Sequence, residues 1–168
     1  VPTIPLFFNQ RIARLIRKEF GPAKVIYGNN CIAHIDDLDD VMNGVKDLLQ
    51  EGGTFVVECN YWGAMVKNVN YALVYHDHFS YFSLKNWVDF LKKYDMEVFD
   101  AYVTPAQGGS LRVFADRKGT RPPTERYIDL LNSEDDANLG SYETAKKYGQ
   151  DVREEAAKLR ELIDGLKE

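Results

Sequence analysis

The chain has 168 residues, of which 45% are hydrophobic and 28% charged, a composition typical of one globular domain with a buried core. It contains no run of about 18 apolar residues, so the sequence excludes a membrane-spanning helix. The N-terminus lacks the order of charge, apolar run and small residues that marks a signal peptide. Its 21 basic and 26 acidic residues leave a formal net charge of -5, so we expect no nucleic-acid partner.

The first helix is predicted between two strand-like runs. Residues 2–8 (PTIPLFF) are predicted to form a short strand, which Pro5 restricts to an edge or an early bend. Asn9 is predicted to cap a helix that ends at Gly21-Pro22. Residues 24–28 (KVIYG) follow as an apolar run of the buried, parallel kind.

A second helix and another strand continue this alternation. Asp36 and Asp37 offer helix starts, and we expect Gly52-Gly53 to end the helix. Residues 54–59 (TFVVEC) are predicted to form another buried strand. An alternation of strand and helix predicts parallel strands with helices on the faces of the sheet.

Beyond residue 59 the pattern changes. Residues 60–82 are aromatic, polar and predicted to be irregular, and Ser83 is predicted to cap a helix. The runs MEVFDAYVT and SLRVFADR, joined by PAQGG, predict a β-hairpin. The fold class is therefore α/β: a partial doubly wound sheet that ends in an antiparallel β-hairpin, with C-terminal helices.

Pro122-Pro123 marks a boundary, after which the composition becomes charged and helical. Ser141 is predicted to cap a long helix whose apolar stripe runs from Ala145 to Leu166. We expect this apolar stripe to be covered, either by another helix in a coiled coil or by docking on the chain's own sheet.

Two cysteines, Cys31 and Cys59, each lie in or just after a strand-like run. Their number excludes a disulfide framework and a four-cysteine zinc site. We expect buried thiols in a reducing compartment and therefore a cytoplasmic protein, with a disulfide between them as the less favoured alternative.

Several segments occur here in the order found in one enzyme family: VIYGNNCIAHIDDLDD, GGTFVVECNY, YHDHFSYFSL and GGSLRVF. The chain resembles the S-adenosylmethionine-dependent sugar C-methyltransferases, which act on nucleotide-linked keto-deoxysugars. The resemblance implies a class I methyltransferase-like sheet, S-adenosylmethionine as cofactor and a nucleotide-sugar substrate.

The resemblance also implies that parts of the family's cofactor site are missing. The family has a cysteine-rich zinc domain, a Gly-rich cofactor loop and an acidic residue before the segment aligned with residues 2–8, and none of these occurs here. We expect residues 1–121 to be the C-terminal part of a methyltransferase domain without its first two strands. Residues 122–168 would be a helical extension or linker, and the chain a fragment with an incomplete cofactor site.

Two of the three histidines fall in the run Tyr75-His76-Asp77-His78. From the residues alone this run is either a polar loop or a catalytic segment, and a metal site lacks an evident third ligand. The resemblance implies that His78 is a general base beside the carboxylate of Asp77, and it leaves His76 as a substrate contact. A base removes the proton beside a ketone, and a donor, Tyr75 or His34, must hold the enolate oxygen.

Further candidates follow the other strands. Asn29 and Asn30 are predicted to contact the methionine part of the cofactor, although asparagine is also common in turns. Phe7 is predicted to stack on adenine, with a buried strand position as the alternative. For the sugar we predict Tyr61 and, by analogy, Ser110, although the turn alone explains the latter.

Three positions depart from the family's usual residues. The family usually has Glu where this chain has Asp77, an acidic residue where it has Leu6, and Pro where it has Asn60. The shorter Asp77 side chain reduces the reach of its carboxylate, and Leu6 removes one adenine contact.

Two functions from different classes remain. The first is methyl transfer from S-adenosylmethionine to a carbon of a nucleotide-linked keto sugar. The second is a non-catalytic fragment or assembly module that pairs with another chain, as a homo-oligomer or with missing parent segments. We expect no membrane partner in either case.

Overall fold

In the computed structural model, which describes residues 3–167, four strands form one mixed sheet. They are β1 (Ala23–Asn29), β2 (Leu49–Asn60), β3 (Met96–Thr104) and β4 (Ser110–Arg117), in the spatial order β1-β2-β4-β3. β1 and β2 are parallel, whereas β4 is antiparallel to both of its neighbours. The predicted α/β class and the closing hairpin are confirmed.

The described residues also contain six α-helices. They are α1 (Gln10–Phe20), α2 (Leu38–Leu48), α3 (Trp62–Asn68), α4 (Leu84–Lys92), α5 (Glu125–Asp136) and α6 (Tyr142–Gly165). Short 3-10 turns follow β1 at Ile32–His34 and join β3 to β4 at Ala106–Gly108.

The predicted helix starts are confirmed by their caps. In each, a side-chain oxygen accepts a hydrogen bond from a backbone N–H of the first turn, which satisfies a donor that the helix leaves unpaired. The capping residues are Asn9, Asp37, Ser83 and Ser141.

One face of the sheet forms the core. Phe55, Val57 and Cys59 alternate along β2 and pack with Trp87 and Leu111 in one buried cluster. Side chains alternate between the two faces of a strand, so the next residue on the other face at the end of β2 is Asn60.

The expected strand at residues 2–8 is wrong for the part that the structure describes; Pro2 lies outside the described residues. Residues 3–8 form no strand, and the N–H of Leu6 donates to the carbonyl of Ile4 at 2.9 Å. A strand requires a neighbour to satisfy its backbone, and Pro5 offers no N–H for such pairing. The side chain of Phe7 is 94% exposed.

The role assigned to Gly52-Gly53 is also wrong. α2 ends at Leu48, and both glycines lie within β2. Ala23 pairs with Leu49 and Val25 with Thr54, so β2 carries an insertion against β1 at this point. Gly52 turns the chain there with a φ of 68°, a conformation that glycine adopts without steric cost.

Two further expectations are corrected. Residues 60–82 are not wholly irregular, because they contain α3. Cys31 is exposed rather than buried, since it lies beyond the last residue of β1, whereas Cys59 is buried as expected and both thiols are free.

The stripe of α6 does not dock on the chain's own sheet. No residue of α6 is buried, and Leu166 is 79% exposed. The contact that anchors the helix lies near its start, where the Tyr148 ring packs edge-on against Trp62 and its hydroxyl donates to the carbonyl of Asn70 at 3.1 Å. Within residues 3–167, no helix is both long and apolar enough to cross a membrane.

Candidate functional site

A small cavity of about 80 Å³ lies at the carboxyl ends of β1 and β2. Ligands of doubly wound sheets gather at this edge. The residues that line the cavity come from both strand ends, the 3-10 turn after β1, the loop before α4 and the hairpin turn: Asn30, Ala33, His34, Cys59, Asn60, Tyr75, His78 and Gln107.

Two of these residues have left-handed backbone conformations. Asn30 follows β1 with a φ of 49°, and Gln107 lies in the hairpin turn with a φ of 51°. Non-glycine residues adopt this conformation at a steric cost, and such strain concentrates at functional sites.

The loop that carries the histidines is fixed to the 3-10 turn after β1. The N–H of Phe79 donates to the carbonyl of Ala33 at 2.8 Å, and Nδ1 of His34 lies 3.0 Å from the main-chain oxygen of Asp77. Residues far apart in the sequence are thereby held in one cluster.

His78 lies at the centre of this cluster. Its Nδ1 is 3.0 Å from the carbonyl oxygen of Leu73, and its ring centroid lies 4.2 Å from that of Tyr75 and 4.6 Å from that of His34. A carbonyl oxygen only accepts, so Nδ1 must carry the proton in this contact. In the neutral ring Nε2 then keeps the lone pair, which is the condition for a general base.

The carboxylate of Asp77 lies beside His34 rather than beside His78. Its Oδ2 is 3.5 Å from Nδ1 of His34. Within residues 3–167, no group of three or more histidine, cysteine, aspartate or glutamate side chains could hold a metal ion.

Two predicted substrate contacts have their hydroxyls engaged elsewhere. Ser110 is fully buried, and its Oγ donates to the carbonyl of Ala106 at 3.1 Å. Tyr61 is buried with its hydroxyl beside the carboxylate of Glu134; burial, and to a lesser degree this carboxylate, raise the pKa of Tyr61. Tyr61 lines a larger groove of about 950 Å³ between α3, the hairpin turn and α5, not the cavity of His78.

Three other predicted residues do not line the cavity. His76 is exposed and does not line it. Asn29 is exposed at the end of β1, and its Oδ1 accepts from Nδ2 of Asn30 at 3.1 Å. Phe7 is not in the strand considered for it, and its exposed ring leaves both faces open.

The sequence predicts no role for two of the amide side chains that line the cavity, those of Asn60 and Gln107. Asn60 stands where the family usually has Pro, and its place directly at the end of a buried strand is a signal of a site. Gln107 carries no such signal, because a turn position alone does not indicate which residue faces a cavity.

Comparison with protein families identifies the class of protein to which this chain belongs. The model of the family described as "Methyltransferase domain" matches residues 7–101, and that described as "C-methyltransferase C-terminal domain" matches residues 105–168. The chain belongs to the methyltransferase-domain family, and the resemblance inferred from its motifs is confirmed at this level.

A particular relative is the C-methyltransferase NovU of Streptomyces niveus. It is 33% identical over 170 residues, which cover 99% of this chain and 40% of NovU. The chain thus spans about two fifths of the length of this curated relative.

Solved structures of methyltransferases are also similar. A SAM-dependent methyltransferase from Anabaena variabilis has a TM-score of 0.44 and 13% identity, over 66% of this chain and 55% of its own. An O-methyltransferase family protein from Burkholderia thailandensis has a TM-score of 0.42 and 16% identity, over 64% of this chain and 33% of its own.

Proposed function

We propose that this chain is the part of a C-methyltransferase that activates the methyl acceptor, a carbon beside the keto group of a nucleotide-linked keto sugar. The observation that carries the proposal is the fixed Nδ1–H contact of His78 in the cavity, which leaves Nε2 free to accept a proton. The choice of a sugar as substrate rests on the resemblance of the YHDHFSYFSL and GGSLRVF segments. The C-methyltransferase chemistry rests on the family match.

In this proposal His78 acts as the general base. Its Nε2 takes the proton from the carbon beside the ketone, and the electron pair of the C–H bond passes into an enolate. Tyr75 and His34 both contact the His78 ring, and either could donate a hydrogen bond to the enolate oxygen. The carboxylate of Asp77, whose Oδ2 lies 3.5 Å from Nδ1 of His34, would help to orient that imidazole.

The residues present fit part of S-adenosylmethionine, the cofactor that the family implies. Asn30 faces the cavity, Asn29 offers an exposed amide beside it, and the open ring of Phe7 is suited to adenine stacking. When bound, the cofactor supplies the methyl group as an electrophile. The sequence contains no Gly-x-Gly-x-x-Gly string, so these residues would form only part of the cofactor site.

The proposed function implies a division of the chain into two parts. Residues 1–121 would complete a methyltransferase domain whose first two strands are supplied elsewhere, and residues 122–168 would extend it as helices. The reducing, cytoplasmic compartment expected from the free thiols is kept as part of this proposal.

The test is solvent exchange by the full-length protein that contains this chain. A nucleotide-linked keto sugar is incubated in D₂O with a cofactor analogue that cannot donate its methyl group. We expect the carbon that receives the methyl group to gain deuterium, because the base works without methyl transfer. An enzyme that methylates the sugar but exchanges no hydrogen there would contradict the role of the base, and one that does neither would contradict the proposed function.

A second candidate, an assembly module, is supported by one observation. Leu159, Leu162, Ile163 and Leu166 expose an apolar surface near the end of α6. Sedimentation of the chain across a range of concentrations tests it: association should occur, and Leu162→Glu should weaken it. A compact monomer at every concentration would contradict self-association.

A further inference from the structure

Asn60 presents an unpaired polar atom in the wall of the cavity. It is the last residue of β2 and is only 6% exposed. Its Oδ1 is buried and makes no hydrogen bond within the part of the chain that the structure describes. Buried polar atoms nearly always have a partner, so an unpaired one needs an explanation.

The other end of the amide is also weakly held. Nδ2 of Asn60 lies 3.5 Å from Nδ1 of His78, the atom that already directs its proton to the carbonyl of Leu73. Two N–H groups cannot bond to each other, so this contact does not fix the amide. The side chain is therefore held by burial beside the catalytic candidate and not by hydrogen bonds of its own.

The surroundings of Asn60 favour an external donor. Ala33 and Cys59 also line the cavity, and burial raises the pKa of the Cys59 thiol to about 12, so neither residue adds a charge beside Asn60. A volume of about 80 Å³ accommodates a hydroxyl-bearing part of a ligand, since a water molecule occupies about 30 Å³. In such a site a well-placed acceptor selects strongly for a substrate that carries the matching hydroxyl group.

We propose that Asn60 is a substrate-binding residue, whose side-chain oxygen accepts a hydrogen bond from a sugar hydroxyl close to the carbon that His78 deprotonates. The inference rests on the proposed function and extends it by naming the group that orients the sugar. The assignment is to the oxygen of the amide, because Oδ1 is the unpaired atom.

The experiment compares three variants of the full-length protein with a nucleotide-linked keto sugar as the probe. Asn60→Leu removes the acceptor and keeps the approximate shape; Asn60→Asp keeps an acceptor oxygen in place. Asn43→Leu is the control, because Asn43 is half-buried on α2 and does not line the cavity. The values of kcat and KM are measured together with the midpoint of thermal unfolding.

We expect Asn60→Leu to raise KM about 3- to 10-fold, the value of one neutral hydrogen bond, with kcat nearly unchanged. Its unfolding temperature should equal or exceed that of the wild type, because the substitution removes a buried atom without a partner. Asn60→Asp should retain the wild-type KM, and Asn43→Leu should leave both kinetic constants unchanged.

A set of substrates, each lacking one ring hydroxyl, identifies the partner. For one of these substrates, the KM of the wild type should rise by the same factor as Asn60→Leu raises the KM for the complete substrate. The KM of Asn60→Leu for that substrate should show no further rise. The inference is overturned if KM does not respond to Asn60→Leu, if kcat falls instead, or if Asn60→Asp loses as much as Asn60→Leu.

A clear loss of stability in Asn60→Leu would also overturn it, since Oδ1 would then have a partner inside the protein. If the wild type neither exchanges hydrogen nor methylates the probe, the proposed function fails and this inference fails with it. If the wild type is active but substitution of Asn60 does not change KM, the inference about Asn60 is overturned and the proposed function is not.

Discussion

The ring of His78 contacts the main-chain oxygen of Leu73, five residues earlier in the same loop, at 3.0 Å from its Nδ1. The same oxygen lies 3.4 Å from the hydroxyl of Tyr81, so both of its lone pairs are engaged. The loop therefore sets the tautomer of its own histidine, and no carboxylate is needed for that purpose.

The first prediction separates the base from the hydrogen bond that holds it. His78→Asn keeps an N–H that can reach Leu73 but removes Nε2, so we expect methyl transfer and solvent exchange to fall about 100- to 10,000-fold. Folding should persist, as measured by circular dichroism and thermal unfolding. Lys18→Ala, on the exposed surface of α1, is the control. Exchange by His78→Asn at the wild-type rate would show that another group is the base.

The second prediction concerns thiol reactivity. Burial raises the pKa of both thiols, to about 12 for Cys59, but Cys31 is exposed to solvent whereas Cys59 is buried. At pH 8 a thiol reagent should modify Cys31 in the native protein and Cys59 only after unfolding, because a protonated, buried thiol is a poor nucleophile. Mass spectrometry of the labelled peptides distinguishes the two. Rapid labelling of Cys59 in the native state would contradict the burial described for β2.

A third prediction tests the attachment of α5 to the rest of the fold. Glu134, buried on α5, accepts hydrogen bonds from the backbone N–H groups of Leu84 at 2.6 Å and Lys85 at 2.9 Å, which are the first two residues of α4. Negative charge at a helix N-terminus is stabilising. Glu134→Gln should therefore lower the free energy of unfolding by about 1–2 kcal/mol, measured with urea.

The control for that measurement is the neighbouring residue. Asp135 pairs with the side chain of Lys85 on the surface, at 2.9 Å. Asp135→Asn should change stability little, because exposed ion pairs contribute weakly. Equal effects of the two substitutions would show that Glu134 acts as an ordinary surface charge.

The fourth prediction is a pH dependence. Hydrogen bonding to the Arg126 guanidinium is the largest of the effects that hold the pKa of the Asp100 carboxyl below its usual range. A pKa lower in the folded than in the unfolded state gives stability that is present above the unfolded value, about 3.9, and lost as pH falls through the folded one. Asp100→Asn should thus reduce stability at pH 7 and flatten its decline in acid.

That decline is measured by urea unfolding at a series of pH values from 7 downwards. Asp89→Asn is the control, since Asp89 is an exposed carboxylate on α4 that pairs with Lys92. If Asp100→Asn leaves the loss of stability at low pH unchanged, the contact between Asp100 and Arg126 does not persist in solution.

The fifth prediction concerns the cofactor. The Gly-rich loop typical of such sites is absent from the sequence, so titration of this chain with S-adenosylmethionine in a calorimeter should show weak or no binding. The full-length protein, titrated in parallel, should bind it. Micromolar affinity of the chain alone would mean that residues such as Asn29, Asn30 and Phe7 suffice.

The features predictable from the sequence are those that depend on neighbouring residues. Asn9, Ser83 and Ser141 cap their helices through bonds to backbone groups three residues away, and PAQGG joins two strands that are adjacent in the chain. Residues 3–8 and Gly52 were predicted wrongly because a strand and its irregularities depend on a distant partner.

The same limit applies to the site. The YHDH run identifies a cluster of side chains, but it does not show that Asp77 lies beside His34 and not beside His78. Tyr61 and Ser110 were reasonable candidates by position, and only packing reveals that their hydroxyls face Glu134 and Ala106. The position of Asn60 at the end of a buried strand is visible in the sequence, but its unpaired side-chain oxygen is revealed only by packing.

The order of the strands has a consequence for how the chain folds as it leaves the ribosome. β4 lies between β2 and β3, so β2 has an open hydrogen-bonding edge until the last of the four strands has been synthesised. The hairpin must then join β2 through its later strand, β4. Its turn depends on Gly109, which has a φ of 125°, and a Cβ at this position would lie 2.4 Å from the Cβ of Ala64. We expect a larger residue there to delay closure, so that the edge of β2 stays open to pairing with other nascent chains for longer.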